Sequence, residues 1–334
     1  MESQGRTFAQ DRYDSMPYRR CGPWGLRLSA ISLGAWETFG GYRDEAVTRE
    51  CLFRAFDLGI THFDLANNYG TPPGNAEIVV GRVVEEMPRD ELIISTKAGF
   101  RMWPGPYGDR LSKKYLVASL DQSLKRLGLD YVDIYYAHRP DPETPLAETM
   151  AALDLIVRQG KALYVGVSNF SGAQLEEAAS VAAAMGLSPI TVHQGAYNLL
   201  GRRCEWDLFD HTQRVGCGVV AFLPLAQGVL TGKYLAGDIP ADSRAALRWG
   251  ERHRKIALSA ETMGKVRRLR EIAEARGQSL AQMAIAWVLR HPAVTTALIG
   301  ASRVEHIEEN VGCLKHLEFS DEELRAIDEI SPPR

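Results

Sequence analysis

No apolar run in the sequence reaches the ~18 residues that a membrane-spanning helix needs, so no helical span is expected. Neither sign of charge is in excess: 39 Lys and Arg stand against 42 Asp and Glu, a net charge of -3. That balance gives no electrostatic footprint for nucleic acid or an anionic membrane surface. Cysteine is scarce and scattered at Cys21, Cys51, Cys204, Cys217 and Cys313, an odd number with no CxxC pair. A disulfide framework is therefore not expected, and the thiols read as structural ones in a reduced protein. Nucleotide signatures are missing as well. Residues 34–41 read GAWETFGG, which is not GxGxxG, and GVLTGKY from Gly228 is one residue short of a P-loop and lacks its Ser or Thr. The opening MESQGRTFAQDRYDSMPYRR is polar and of mixed charge, unlike a secretory signal. A cytoplasmic protein is expected, with residues 1–17 a mobile lead-in and structure beginning near Tyr18. No metal is expected.

What is present is an ordinary globular composition, 45% apolar and 24% charged, arranged in a repeating order. Short β-rich runs end at positions 34, 64, 97, 138, 168, 194, 222 and 300: AISLG, THFD, LIISTK, VDIYYAH, LYVGVS, ITVHQ, GVVAF and TALIG. Between them lie amphipathic stretches such as KKYLVASLDQSLKRLG, apolar at three- and four-residue spacing and closed by Gly. The intervals are 30, 33, 41, 30, 26, 28 and 78 residues, near the length of a strand–helix unit except for the last. Eight such units predict a (β/α)8 barrel rather than a doubly wound sheet. The last interval leaves room for an insertion after strand 7 (226–260) and helices near 261–276 and 280–290. Residues 18–29, Gly-rich at their centre, predict a hairpin capping the barrel's N-terminal end, so that 18–334 form a single barrel domain.

In such a barrel, chemistry sits where the strands end. Asp64 ends the second predicted strand, Lys97 the third and His138 the fourth, while Tyr69 follows the second. A tyrosine, with an ordinary pKa of about 10, is a poor acid at neutral pH. A lysine beside it lowers that value, an aspartate keeps the lysine charged, and a histidine can bind the same substrate oxygen. Singly, each residue has a plain structural reading: a turn aspartate, a packing tyrosine, a core histidine. The lysine is hardest to dismiss, since a charge on an inner strand needs a partner.

D-x(4)-Y at Asp64 and Tyr69, the Lys of STKAG, the His of YYAHRPD and the segment GVSNF together resemble the aldo-keto reductase family, from about Tyr18 to the final helix. The resemblance implies NADPH-dependent carbonyl reduction. Tyr69 would be the general acid, Lys97 and Asp64 its tuning pair, and His138 the group orienting the carbonyl. It further implies that Ser168, Asn169 and Gln194 bind the nicotinamide carboxamide and that Phe222 stacks on the ring. AFLPLAQGVLTGKY, with Leu223, Leu225, Gln227 and Gly228, resembles the segment wrapping the pyrophosphate. A serine is common after the stacking aromatic; Leu223 stands there instead, so a side-chain hydrogen bond is lost and backbone contacts remain.

For a 2′-phosphate, GASRVEHIEEN (Gly300 to Asn310) supplies Ser302 and Arg303 at a helix start, with His306 nearby, and Lys233 and Arg244 reach in from the insertion. The resemblance further implies that Glu309 and Asn310 sit at the adenine. Trp36 and Trp103 are expected to form an apolar wall beside the nicotinamide and the substrate, Trp36 touching the cofactor as well, each against a plain loop-packing reading. Arg101 or Arg139 is a candidate for a substrate phosphate, against a plain surface-charge reading. Within the family the chain is similar to bacterial reductases of L-glyceraldehyde 3-phosphate and methylglyoxal and to potassium-channel β-subunits. The alternative function is therefore a cofactor-bound, redox-sensing regulatory subunit, although those subunits carry Asn where His138 stands. A Schiff-base aldolase using Lys97 is disfavoured, because Asp64 is expected to raise the lysine's pKa. A small-molecule carbonyl substrate and a homo-oligomer are expected.

Overall fold

The computed structural model describes residues 6–333. A hairpin of β1 (Tyr18–Arg20) and β2 (Arg27–Ser29) precedes eight barrel strands: β3 (Ile31–Gly34), β4 (His62–Asp64), β5 (Ile93–Ala98), β6 (Val132–Ala137), β7 (Ala162–Ser168), β8 (Ile190–Ala196), β9 (Gly218–Phe222) and β10 (Val294–Ile299). All neighbours in the barrel are parallel, in the closed order β10-β3-β4-β5-β6-β7-β8-β9. Each of the eight lies within two residues of its predicted run. Helices follow the strands, and their ends obey local chemistry. Ser171, Ser279 and Ser320 each open a helix with a reciprocal capping box through Gln174, Gln282 and Glu323. Gly128 closes the helix Lys113–Leu127 in the left-handed conformation that an L side chain resists.

The hairpin does cap the N-terminal end. Cys21, Leu26 and Leu28 pack with Ile134, Tyr136, Val192 and Val220 in a cluster of their own. Gly218 makes this approach feasible, since a Cβ there would lie 2.8 Å from the Cys21 Cα. Gly166 likewise leaves room for the Tyr136 ring, which a Cβ would meet at 2.4 Å. This side of the barrel interior is apolar. The other side is polar: Thr296, Ser32, His62, Ser95, Asp64 and Lys97 are all buried on β10, β3, β4 and β5. A barrel interior is ordinarily packed with branched apolar side chains, so a polar sector one strand after another needs a reason beyond stability.

Residues 6–17, expected as mobile lead-in, pack against the helix Glu45–Asp57. Phe8 meets Phe53 and Phe56 edge-on at 5.5 and 4.9 Å, the Ala9 N–H donates to Asp57 Oδ1 at 2.8 Å, and Met16 is buried. The reason is that a few apolar anchors suffice in an otherwise polar segment. Residues 1–5 of that expectation lie outside the described residues. The insertion is not a plain loop either: it carries short helices at Arg244–Leu247 and Glu251–Ala257. The helices expected after it run Ala260–Ala275 and Leu280–Leu289, and Arg303 caps the eighth, Val304–Val311.

Two fully buried histidines make stability depend on pH. Burial pushes His62 and His193 each down to about 4, against an ordinary value of about 6.5. Between those values the unfolded chain binds protons that the folded chain does not. Stability is therefore complete above about pH 6.5 and falls as pH drops toward 4, by on the order of 3 kcal/mol per histidine. Urea midpoints measured at about pH 7.5 and pH 5 should differ accordingly; equal midpoints would show that the rings are not held neutral.

Candidate active site

Strand pairing brings the four chemistry-bearing residues together. Asp64 lies opposite Ser95 on β5, and Lys97 lies opposite Tyr136, two residues before His138. The Lys97 ammonium is fully buried and donates to Asp64 Oδ2 and to the Leu65 carbonyl, both at 2.6 Å. Asp64 Oδ1 accepts from Ser95 Oγ at 2.6 Å and from Gln194 Nε2 at 3.0 Å. Lys97 Nζ stands 5.0 Å from the centroid of the Tyr69 ring, and the His138 ring meets Tyr69 edge-on at 5.9 Å. Phe100 packs against the other side of His138 at 4.7 Å.

The protonation states follow from burial. His138 is pushed well below the ordinary histidine range, first by burial and then by the charges of Lys97 and Arg139. It is neutral, with one N–H. Its Nδ1 is buried without a partner, so a proton on Nε2 leaves only an acceptor unmatched, the smaller cost. Tyr69 departs from the expectation of an acidified phenol. Its pKa is raised well above the usual value, by burial and then by the negative charge of Asp64. The phenol is thus protonated at every working pH, and Lys97 can assist only as negative charge develops on its oxygen. Lys97 also departs from expectation: Asp64 does raise its pKa, but burial outweighs that and the net shift is downward. A Schiff base is still unsupported, because the ammonium is sealed from solvent and committed to Asp64 and Leu65.

These residues end a groove of about 680 Å3. Asp64, Tyr69 and His138 line it; Lys97 lies beneath. Ser168, Asn169, Gln194 and Phe222 line the adjoining stretch, followed by Leu223, Leu225, Gln227 and Gly228. Gly300, Ser302, Arg303, His306, Glu309 and Asn310 form the far wall, with Lys233, Arg244 and Trp36 also on the surface of the groove. Asn169, Leu223, Ala226 and Gln227 all hold positive φ angles, between 46° and 61°. Such strain in non-glycine residues concentrates at sites of function. The Leu223 carbonyl is fixed by Asn198 Nδ2 at 3.0 Å, which preserves the backbone where the expected serine is missing.

The donor sets at the two ends differ. Asn169 Nδ2 donates to the His138 carbonyl at 3.0 Å and to Ser168 Oγ at 3.1 Å. That leaves Asn169 Oδ1 to accept and the Ser168 hydroxyl to donate, the complement of a primary amide. At the far end Lys233 is pushed down by burial and then by Arg244, with Arg303 adding to it. Cations converging on one cavity call for an anion between them.

Trp103 does not line the groove. It packs on Tyr115 with ring centroids 5.1 Å apart, a loop-packing role instead. Arg139 is held by the Gly99 carbonyl at 2.7 Å and by Asp109 at 2.8 Å, and Arg101 is exposed; neither lines the groove. Phe100, Asn68 and Thr38 do line it and were not singled out. Phe100 was findable, three residues beyond Lys97. The insertion is tied to the loop after β3. Arg244 lies 5.0 Å over the Trp36 ring and donates to its carbonyl at 3.2 Å, and Arg248 pairs with Glu37 at 2.7 Å.

The profile of the aldo/keto reductase family matches residues 30–332. The chain is 53% identical over 326 residues to a protein of Escherichia coli strain K12 named L-glyceraldehyde 3-phosphate reductase, covering 96% of this chain and 93% of that one. It is 41% identical over 305 residues to a rice protein named probable voltage-gated potassium channel subunit beta, covering 90% and 91%. A fission-yeast protein named putative voltage-gated potassium channel subunit beta is 39% identical over 328 residues, covering 95% and 93%. A barrel with this mouth, matched along nearly its whole length, makes the chain a member of the aldo/keto reductase family and an oxidoreductase.

Proposed function

We propose that the protein reduces an aldehyde or ketone with NADPH, Tyr69 supplying the proton, and that L-glyceraldehyde 3-phosphate and methylglyoxal are its first candidate substrates. The observation that carries this reading is the buried Lys97–Asp64 pair set under Tyr69, beside a neutral His138, in a groove that Lys233, Arg244 and Arg303 also line. Ser168, Asn169 and Gln194 would hold the carboxamide, Phe222 the ring face, and Lys233, Arg244, Ser302 and Arg303 the phosphates. The cofactor supplies hydride to the carbonyl carbon when bound. His138 Nε2–H orients the carbonyl oxygen, and Tyr69 donates its proton to that oxygen as charge develops. Lys97 stabilises the phenolate that remains, and Asp64 holds Lys97 charged. The named substrate of the Escherichia coli relatives supports the first candidate; the channel-subunit relatives keep a redox-sensing regulatory role as the second reading.

Cofactor oxidation with each carbonyl separates the two. Turnover with NADPH is expected to exceed that with NADH, and Arg303→Ala should raise KM for NADPH about tenfold with little change for NADH. Tight NADPH binding without reduction of either carbonyl would favour the regulatory reading.

A further inference from the structure

The polar sector of the barrel interior forms one directed chain. Thr296 Oγ1 lies 2.7 Å from Ser32 Oγ, Ser32 Oγ 2.8 Å from His62 Nδ1, His62 Nε2 3.0 Å from Ser95 Oγ, and Ser95 Oγ 2.6 Å from Asp64 Oδ1. Thr296, Ser32, His62 and Ser95 have no exposed surface. The direction of every proton follows from the far end. A carboxylate only accepts, so Ser95 gives its hydroxyl proton to Asp64 and must accept from His62 Nε2–H. A neutral imidazole has a single N–H, so His62 Nδ1 accepts from Ser32. Ser32 in turn accepts from Thr296. Four neighbouring strands thereby direct their hydrogen bonds onto one oxygen of Asp64, whose other oxygen holds Lys97.

We infer that His62 and Ser95 are positioning residues for catalysis, acting through Asp64 to hold its carboxylate in one orientation and Lys97 fixed beneath Tyr69. A sector of this kind replaces apolar packing, whereas a satisfied polar network specifies one geometry. Asp64 and Lys97 are the charges acting on His62, with burial the larger influence; the ring's low pKa of about 4 keeps it neutral, as the chain requires. The inference rests on the reading of Tyr69 as the acid assisted by Lys97.

The test compares native protein with Ser95→Ala, Ser95→Thr and Tyr69→Phe in NADPH-dependent carbonyl reduction. Removing the Ser95 donor should lower kcat about tenfold and leave KM and NADPH affinity within about twofold. Ser95→Thr, which keeps the hydroxyl, should recover most of the rate. A Ser95→Ala protein as fast as native, with Tyr69→Phe inactive, overturns the positioning role while leaving the acid reading intact. An active Tyr69→Phe overturns the acid reading, and with it the inference that rests on it. Nitrogen-15 NMR of the histidines in native protein gives an answer that needs no variant. At about pH 6 His62 should be neutral and protonated on Nε2; a charged ring, or one protonated on Nδ1, overturns the inference.

Discussion

Tyr69→Phe should lower kcat by about 10^3-fold, within the range that a positioned general acid contributes, while NADPH affinity stays within about twofold. The substitution deletes only the hydroxyl. The ring keeps its edge contact with His138 and its place over Lys97, so folding and the shape of the groove are retained. The effect falls on kcat rather than KM because the lost interaction is made as the proton moves. Since burial and Asp64 hold the Tyr69 phenol well above its ordinary pKa, ionisation of this residue should not limit the native rate at neutral pH. Steady-state kinetics and a cofactor titration on the same preparation check both halves. A loss confined to KM would place Tyr69 in substrate binding instead.

Asp64→Ala should cost about 3–5 kcal/mol of stability along with nearly all turnover. It strands the Lys97 ammonium, which has no exposed surface, with the Leu65 carbonyl as its remaining hydrogen-bond partner. It also leaves Ser95 and Gln194 donating into a void. Lys97→Met should cost less, since those two donors still serve the carboxylate. The pair Asp64→Leu with Lys97→Met should regain much of the stability, because apolar side chains of similar volume need no partner, yet remain inactive. Urea unfolding of the three proteins measures this. If Asp64→Ala melts with the native protein, the pair is not a buried, mutually dependent unit.

Much of this was legible in the sequence. Parallel strands buried on both faces produce apolar runs at near-constant intervals, so the eight strands and the mouth residues at their ends could be placed from spacing alone. Further lining residues of the groove were legible through the family resemblance of GVSNF, AFLPLAQGVLTGKY and GASRVEHIEEN. Trp103 was misplaced because a loop has no periodicity to say which way a side chain turns. The segment before Tyr18 was misjudged because Phe8 and Met16 are isolated among polar residues, and only their packing reveals them. The acidity of Tyr69 was misjudged because burial, the larger influence, depends on everything around the ring. Ser32, His62, Ser95 and Thr296 passed unnoticed for a related reason. Each is an unremarked strand residue until the register of four strands lines them up behind Asp64.

The proposed role of Tyr69 is to give up a single proton, and single-turnover reduction of a carbonyl by enzyme loaded with NADPH isolates that step. Native protein should consume the bound cofactor in one fast phase, and Tyr69→Phe, loaded to the same extent, should do so at least about 100-fold more slowly. Equal rates would contradict the role given to Tyr69 and the purpose assigned to the buried Lys97–Asp64 pair beneath it.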